Sequence, residues 1–415
     1  MHDETEQEIA TRLIGRVDRY ESTIRAFASY DPARARQEAA TAAQGPLSGL
    51  SVGVKDIIDT AYYPTGHGSP IYDGNHTRND AACVTLLRQA GALCVGKTVT
   101  TEFAFFRAGA TVNPYDLSRT PGGSSSGSAA AVAAGMIDIG LASQTAASLT
   151  RPASYCGIVG FKPSYGRYAA AGVKGLAPSF DTLGTLTADV ATAVLADGVL
   201  KGPCPVRMTP SARVPARIGL CRTPWWDEAE DSTRLALLDS GRRFGTHADV
   251  EDVDLSAFSD AADLHVTIMS YEAAQALAWE FTDRRALMSQ QIVGLLEAGR
   301  AIGYETYRAA LTRAAALRER IDTLFDRYDV LLAPAAPGVA PKREQGTGSP
   351  IFSRLWTLLR LPTVTLPGPV GDGGLPVGVQ LLGRIGSDED LLNVAAWAEA
   401  ILPARPVPAI CRQGE

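Results

Sequence analysis

Two serine-bearing turns constrain this chain more than any other feature. They lie between Pro121 and Pro163, in the stretch PGGSSSGSAAAVAAGMIDIGLASQTAASLTRPASYCGIVGFKP. The run Ser128–Met136 between them is rich in alanine and predicts a helix. Ser124, Ser125 and Ser126 come just before this run, where a hydroxyl can cap a helix and face the positive end of its dipole. Because a helix N-terminus stabilises anions, this first turn is a candidate for chemistry.

A short strand and a second polar turn follow the predicted helix. Ile137–Leu141 alternate in the manner of a strand, and Ser143–Ser148 form the second turn before Pro152. A Gly/Ser-rich run on its own is typical of a flexible connector. The regular elements on both sides of these turns favour a reactive site over a linker.

The order and spacing of these motifs resemble those of the amidase signature family. The resemblance rests on GGSSSG at 122–127, followed at a fixed interval by Ser148 and Arg151-Pro152-Ala153. It extends to GVKD at 53–56, KPSYGR at 162–167, DTLG at 181–184, DVLLAP at 329–334 and LPVGVQL at 375–381. The likeness covers residues 1–200 and 325–405, whereas the middle of the chain is poorly matched.

This resemblance implies an α/β fold, a single large domain over 1–415 with a central twisted mixed β-sheet flanked by helices on both faces. The residues themselves favour helices on both faces of a mostly parallel sheet, because strand and helix patterns alternate. We expect N-terminal helices over 1–45, the catalytic signature core over 46–200 and the C-terminal part of the core over 328–415. The segment 201–327 is rich in helix formers, and we expect it to form a variable helical region over the active site.

Composition excludes several classes of partner. The sequence has no run of about 20 apolar residues, so no membrane span is expected. The acidic N-terminus lacks the apolar core of a secretory signal, so the expected compartment is the cytoplasm. A formal charge of −6 without a basic cluster argues against nucleic acid. The expected partner is a small-molecule amide substrate, and a homodimer is left open.

The residues also argue against a metal site and a histidine base. The six cysteines are dispersed, and none of the five histidines occurs in HExxH or in an i, i+4 pair. No cofactor and no metal are expected. His67 and His76 are the only histidines near the motifs, and we expect the general base to be another residue.

Lys55 is the candidate base because it follows Val52 and Val54 in the predicted strand Leu50–Ile58. A lone lysine in a strand is usually a solvated charge. Loss of hydration among apolar residues would lower its pKa and leave a neutral amine that accepts a proton. Lys97, at the end of another predicted strand, is the rival, and the position of the family's lysine motif favours Lys55.

The family resemblance assigns the remaining catalytic roles. It implies a triad in which Ser148 is the nucleophile, Ser124 is a bridging serine after a cis Gly123–Ser124 bond, and Lys55 is the base. A serine hydroxyl is a poor nucleophile unless a base removes its proton, which fits this division of labour.

The backbone N–H groups of Thr145, Ala146, Ala147 and Ser148 are the expected oxyanion donors. The family has glycines where this chain has Ala146 and Ala147, and alanine would be strained if either position required a positive φ.

A second departure from the family concerns Gln144 and Thr150, which stand where the family has aspartate and arginine. Loss of one partner would strand a buried charge at a cost of about 3–5 kcal/mol, so replacement of both indicates a maintained structure. Arg151 comes one place later, as in malonamidase-like short members. We predict that Arg151, Ser125 and Gln144 bind substrate, with pairing of Arg151 to backbone carbonyls or a structural carboxylate as the alternative.

The resemblance implies an amidohydrolase that cleaves a small-molecule C–N amide bond through an acyl-enzyme on Ser148. A small acidic monoamide such as malonamate is the narrower interpretation. The alternatives are a carbamate, ester or aryl-amide hydrolase of the same mechanism, a partner-dependent subunit of an amidotransferase, and a silent scaffold. Intact Lys55, Ser124 and Ser148 count against the scaffold.

Overall fold

The computed structural model describes residues 6–105, 108–204 and 206–412. In this part of the chain eleven strands form one sheet, in the order β1-β3-β2-β4-β6-β5-β10-β11-β9-β7-β8. The strands are β1 (Phe27–Tyr30), β2 (Ser51–Lys55), β3 (Leu93–Thr98), β4 (Ile139–Gln144), β5 (Val159–Lys162), β6 (Thr182–Thr187), β7 (Arg217–Leu220), β8 (Asp249–Asp252), β9 (Val330–Pro334), β10 (Thr363–Pro367) and β11 (Gly378–Leu382).

The sheet is mixed. β2 pairs in parallel with β3 and β4, and β7 pairs in parallel with β8 and β9. Strands β4, β6, β5, β10, β11 and β9 form a continuous antiparallel series between these two parallel parts, and β1 closes one edge antiparallel to β3. The expected central mixed sheet is therefore confirmed. The mostly parallel sheet that the alternation of strand and helix patterns favoured is wrong, because most of the strand pairs are antiparallel.

Helices cover both faces of this sheet. They are α1 (Glu6–Ile24), α2 (Pro32–Ala39), α3 (Ala82–Gln89), α4 (Ser126–Ala133), α5 (Thr150–Tyr155), α6 (Val190–Leu200), α7 (Asp231–Phe244), α8 (Ala261–Ala276), α9 (Ala278–Asp283), α10 (Gln290–Ala301), α11 (Tyr304–Asp322), α12 (Ile351–Leu358), α13 (Asp388–Ile401) and α14 (Ala409–Arg412).

Alternating strand residues show how both faces are buried. In β3, Leu93 and Val95 pack in the core that contains α1, α2 and α4, whereas Cys94 packs in the core that contains α3, α6 and α13. In β9, Leu331 faces the helices of the middle region and Leu332 faces the opposite core. Because successive side chains of a strand point to opposite faces, helices on both sides leave no strand face to solvent here.

The middle region departs in part from its expected helical character. It contains α7–α11 as predicted, and it also contributes β7 and β8, which extend the sheet at one edge. Each of these strands has only four residues, which is too short for an alternating pattern to stand out beside long helices. Within the described residues no helix is both long and apolar enough to cross a bilayer.

The first serine turn differs from its predicted capping role. Helix α4 begins at Ser126, and the side chain of Ser125 at the N-cap makes no capping hydrogen bond. Its Oγ lies 3.4 Å from both the N–H and the carbonyl oxygen of Ser143 instead. Ser128 Oγ donates to the Leu141 carbonyl at 2.8 Å. The hydroxyls therefore join α4 to β4, because α4 lies directly against this strand.

Candidate active site

Lys55 ends β2 and is completely buried. Val52 and Val54 of the same strand pack in the core on one face of the sheet. The Lys55 side chain reaches the two serine turns, where its Nζ lies 2.7 Å from Ser124 Oγ and 2.7 Å from Ser143 Oγ. No carboxylate of the described residues lies within ion-pair distance of Lys55.

Burial lowers the pKa of Lys55 to about 7, and the charge of Asp181 opposes this shift. A substantial fraction of the amine is then neutral at neutral pH. A neutral amine has two N–H groups and one lone pair, so it can donate to Ser143 and accept the hydroxyl proton of Ser124. The contacts therefore fit a lysine that acts as a base.

The rival lysine is held in a different environment. Lys97 Nζ lies 3.2 Å from Asp56 Oδ1 and donates to Thr65 Oγ1 at 2.7 Å. Burial lowers the pKa of Lys97, and the neighbouring Asp56 carboxylate opposes that effect. Lys97 thus has the buried ion pair that Lys55 lacks, and it contacts neither serine turn.

The first turn brings Ser124 to Lys55. The Gly123–Ser124 peptide bond is cis, as the resemblance predicts. Gly122 has φ +84°, and a Cβ there would lie 2.9 Å from Pro152 Cα, so both backbone conformation and space require glycine. At Gly127 a Cβ would lie 2.1 Å from the Ala26 carbonyl oxygen, so glycine lets α4 start against the residue that precedes β1.

Ser124 and Ser148 line one small chamber of about 20 Å³. Its other walls come from both turns and from apolar side chains of several elements: Ala104, Phe105, Thr145, Ala146, Ala147, Arg151, Leu176, Met269 and Pro350. A second cavity of about 340 Å³ shares Ala104, Thr145 and Leu176 with this chamber and reaches Ser143 and Asp181. Among the described residues that line the chamber, Arg151 is the charged one.

In the turn 145–148 the backbone carbonyl groups accept hydrogen bonds, whereas three of the N–H groups donate none within the described residues. The carbonyl oxygens of Thr145, Ala146, Ala147 and Ser148 accept hydrogen bonds from His265, Thr357, Arg151 N–H and Ser125 N–H, respectively. The N–H groups of Ala146, Ala147 and Ser148 donate to no group in the described part of the chain. Such a turn is suited to bind an oxyanion.

Alanine causes no backbone strain in this turn. Neither Ala146 nor Ala147 is among the residues with positive φ. The concern that alanine would not fit where the family has glycine is thereby removed, since an ordinary negative φ accepts any L-residue.

The comparisons with known proteins agree with this geometry. The Amidase family profile matches residues 8–392. The chain belongs to this family. One glutamyl-tRNA(Gln) amidotransferase subunit, from Anaeromyxobacter sp. (strain K), is 34% identical, over 97% of this chain and 94% of that protein.

Two solved structures extend the likeness to the whole fold of this amidase family member. A crystal structure of an amidase has a TM-score of 0.87 and 30% identity, and covers 96% of this chain and 97% of that one. The native peptide amidase from Stenotrophomonas maltophilia has a TM-score of 0.84 and 26% identity, and covers 98% of this chain and 96% of that one. The family and these neighbours identify the chain as an amide-hydrolysing enzyme.

Two of the three predicted substrate-binding residues of this amidase do not line the chamber. The buried Gln144 side chain accepts the Leu149 and Thr150 N–H groups and the Thr150 hydroxyl through Oε1, at 3.1, 3.0 and 3.0 Å. Its Nε2 donates to Thr357 Oγ1 at 3.1 Å. Ser125 contacts Ser143. Both side chains are engaged inside the protein, which sequence spacing alone does not reveal.

Arg151 lies at the chamber and also bridges two loops of the amidase. Its Nη2 donates to the Gly123 carbonyl at 2.6 Å and contacts Thr347 Oγ1 at 3.2 Å, and Nη1 donates to the Gly348 carbonyl. Burial lowers the pKa of Arg151 to about 10. The contacts to carbonyls match the alternative considered for Arg151 from the sequence, and they attach it to the peptide bond that precedes Ser124.

Sequence reasoning missed four residues that contact Lys55 or the turn 145–148. Ser143 contacts Lys55, and Asp181 Oδ1 accepts the Thr145 hydroxyl at 2.5 Å. His265 and Thr357 contact the carbonyls of Thr145 and Ala146. Ser143 and Asp181 lie in the recognised motifs and could have been found there. His265 lies in the poorly matched middle region, where no pattern marked it.

No histidine of the described residues lines the chamber. His67 is buried with its ring edge against Tyr72, 4.6 Å away, and does not line the chamber. His2 lies outside the described residues. Within those residues, no three His, Cys, Asp or Glu side chains are grouped so as to hold a metal ion.

Proposed function

We propose that this enzyme hydrolyses a small amide through an acyl-enzyme on Ser148, with Lys55 as the base and Ser124 as the bridge. The observation that carries the proposal is the 2.7 Å contact between Lys55 Nζ and Ser124 Oγ, made by a buried lysine whose pKa is lowered to about 7. The shared chamber of Ser124 and Ser148 supports it.

The reaction divides into two displacements. Ser148 Oγ attacks the amide carbon while its proton passes through Ser124 to Lys55. The tetrahedral oxyanion would accept hydrogen bonds from the N–H groups of Ala146, Ala147 and Ser148. The C–N bond then breaks, and the nitrogen leaves with the proton that Lys55 returns. Water repeats the sequence on the acyl-enzyme and releases the carboxylic acid.

The chamber favours a small acyl group. Its volume is about 20 Å³, so a bulky acyl group would have to extend into the second cavity, with which the chamber shares Ala104, Thr145 and Leu176. The narrower proposal is a small acidic monoamide such as malonamate, supported by the position of the Arg151 cation in the chamber lining. Carbamates and esters remain accessible to the same nucleophile.

Intact-mass spectrometry with a fluorophosphonate tests the proposed nucleophile. Attack by Ser148 forms a P–O bond, breaks the P–F bond and releases fluoride, which adds the mass of one phosphonyl group. We expect labelling of the wild type, no labelling of Ser148→Ala, and slow labelling of Ser124→Ala. Labelling that survives in Ser148→Ala and vanishes in Ser124→Ala would reverse the assignment.

A partner-dependent amidotransferase component is the second candidate, because the relative from Anaeromyxobacter, a subunit of such an enzyme by name, is 34% identical to this chain. The two candidates differ in what the purified chain does alone. We expect ammonia release from butyramide or malonamate without a second protein. Fluorophosphonate labelling without turnover of either amide would favour the amidotransferase component instead.

A further inference from the structure

His265 contacts the oxyanion turn from outside the signature core. It lies on α8 and is completely buried, with its ring stacked on Phe180 at a centroid distance of 4.6 Å and an interplanar angle of 15°. Its Nε2 lies 2.7 Å from the carbonyl oxygen of Thr145. A carbonyl oxygen only accepts hydrogen bonds, so Nε2 is the protonated nitrogen of the ring.

The bond from Nε2 to Thr145 is the main polar interaction of the His265 ring. Burial lowers the pKa of His265 to about 3, so the ring is neutral and Nδ1 carries no proton. No donor of the described residues reaches Nδ1. A buried acceptor without a partner is unfavourable, whereas a phenylalanine would fill similar space without that cost. What histidine adds at this position is the bond to Thr145.

The bond to Thr145 bears on the oxyanion donors through the geometry of the peptide unit. In a trans peptide the C=O and the next N–H point in opposite directions. When His265 holds the Thr145 oxygen toward α8, the N–H of Ala146 is directed to the other side of the turn. Ala146 is one of the residues that line the chamber.

We infer that His265 is a positioning residue, which fixes the Thr145–Ala146 peptide unit so that Ala146 N–H points at the oxyanion. The inference rests on the proposed function, because it needs a tetrahedral intermediate on Ser148. His265 itself does not contact the reacting atoms. Through His265, the variable middle region makes a hydrogen bond to the signature core. Stabilisation of the transition state then depends on how α8 packs against that core.

The test compares two substitutions with different hydrogen-bonding capacity. His265→Phe keeps an aromatic ring against Phe180 and removes the donor, whereas His265→Gln keeps a side-chain N–H that can reach the Thr145 oxygen. Loss of a whole oxyanion donor costs about 10²–10³ in kcat, so we expect misdirection of one donor to lower kcat for butyramide by about 10–100-fold in His265→Phe. KM should change less than about threefold, and His265→Gln should recover most of kcat.

A control on the same helix separates positioning from stability. Ile268→Ala removes buried side-chain volume from α8 without touching the turn. We expect it to lower Tm while kcat stays near the wild-type value. Equal kcat in His265→Phe and wild type, or losses in all three variants that follow Tm, would overturn the inference. A wild type that neither turns over amides nor reacts with the fluorophosphonate would overturn the proposed function instead.

Discussion

Gln144 Oε1 accepts the hydroxyl of Thr150 at 3.0 Å, at the two positions where the family has a charged pair. Thr150 Oγ1 in turn lies 2.8 Å from Ser353 Oγ, and Gln144 Nε2 donates to Thr357. A neutral, hydrogen-bonded network thus occupies the place of the charged pair that the family resemblance implies, beside the turn 145–148. The network avoids the desolvation of two charges, since every group in it stays uncharged.

The first prediction follows from the neutrality of this network. Gln144→Glu is close in size and places a carboxyl group in it without a cation, so we expect the ionised form to destabilise the protein by about 3–5 kcal/mol. Burial raises a carboxyl pKa above its unfolded value of about 4.3. Between the unfolded pKa and the raised folded pKa, the folded variant holds a proton that the unfolded chain has released. The free energy of unfolding therefore falls as pH rises between these two pKa values.

Thermal unfolding at pH 5 and pH 8 measures this effect. The Tm deficit of Gln144→Glu relative to wild type should be small at pH 5 and large at pH 8. Gln144→Met removes the same hydrogen bonds without a charge, so its deficit should be the same at both pH values. A deficit of Gln144→Glu that does not depend on pH would show that the site tolerates the charge.

The second prediction concerns the pH dependence set by Lys55. Since its pKa is lowered to about 7, kcat/KM for butyramide should rise about tenfold per pH unit below pH 7 and level off above it. Lys55→Met should lose about 10²–10⁴ in kcat/KM together with this rise. Lys97→Met, which breaks the pair with Asp56, should be less stable but should keep the rise. The opposite pattern would make Lys97 the base.

The pH dependence of Tm provides an independent test of the lowered pKa of Lys55. The folded pKa of Lys55 lies below its unfolded value. Below pH 7 the buried lysine is charged, and its burial then has its full destabilising effect on the protein. The cost declines as pH rises toward about 10.4, where the unfolded lysine also loses its proton. Lys55→Met should therefore raise Tm at pH 6, and this advantage should shrink toward pH 10. An advantage that stays constant would mean that Lys55 is not neutral in the folded state.

The third prediction separates two roles of Arg151. Loss of its bonds to Gly123 and Gly348 should lower kcat/KM for every substrate, because the turn before Ser124 loses a support. A charge-assisted hydrogen bond to a substrate carboxylate is worth about 1.5–3 kcal/mol. Arg151→Met should therefore lower kcat/KM for malonamate by about 10–150-fold more than for butyramide. Equal losses for the two amides would assign Arg151 to the support of the turn alone.

The fourth prediction concerns the second carbonyl anchor of the oxyanion turn. Thr357 Oγ1 donates to the Ala146 carbonyl at 2.8 Å, which directs Ala147 N–H to the other side of the peptide unit. Thr357→Val is similar in shape and removes the hydroxyl, so we expect kcat for butyramide to fall about 5- to 50-fold. Thr357→Ser keeps the hydroxyl and should retain most of kcat. Similar kcat values for the Val and Ser variants would contradict the anchoring role.

Much of the fold could be predicted from residue patterns, because the pattern of a helix or a longer strand lies within its own stretch of sequence. The alanine-rich run Ser128–Met136 predicts a helix, and α4 covers Ser126–Ala133. Strands β7 and β8 were missed, because four residues carry too little pattern. The pairing of β7 with β9, and of β8 with β7, is decided by the packing of the middle region on the sheet.

The sequence by itself predicted the candidate triad, because Lys55, Ser124 and Ser148 each lie in a motif that resembles the family's, and the three catalytic roles stay a prediction. Only the tertiary structure decided what supports these residues. His265 and Thr357 lie more than 100 residues beyond the turn that they contact, and Gln144 bonds to Thr357 across 213 residues. A local pattern records which residues follow one another, whereas these contacts arise from packing of separate helices on one sheet, and the chain order does not encode them in any short motif.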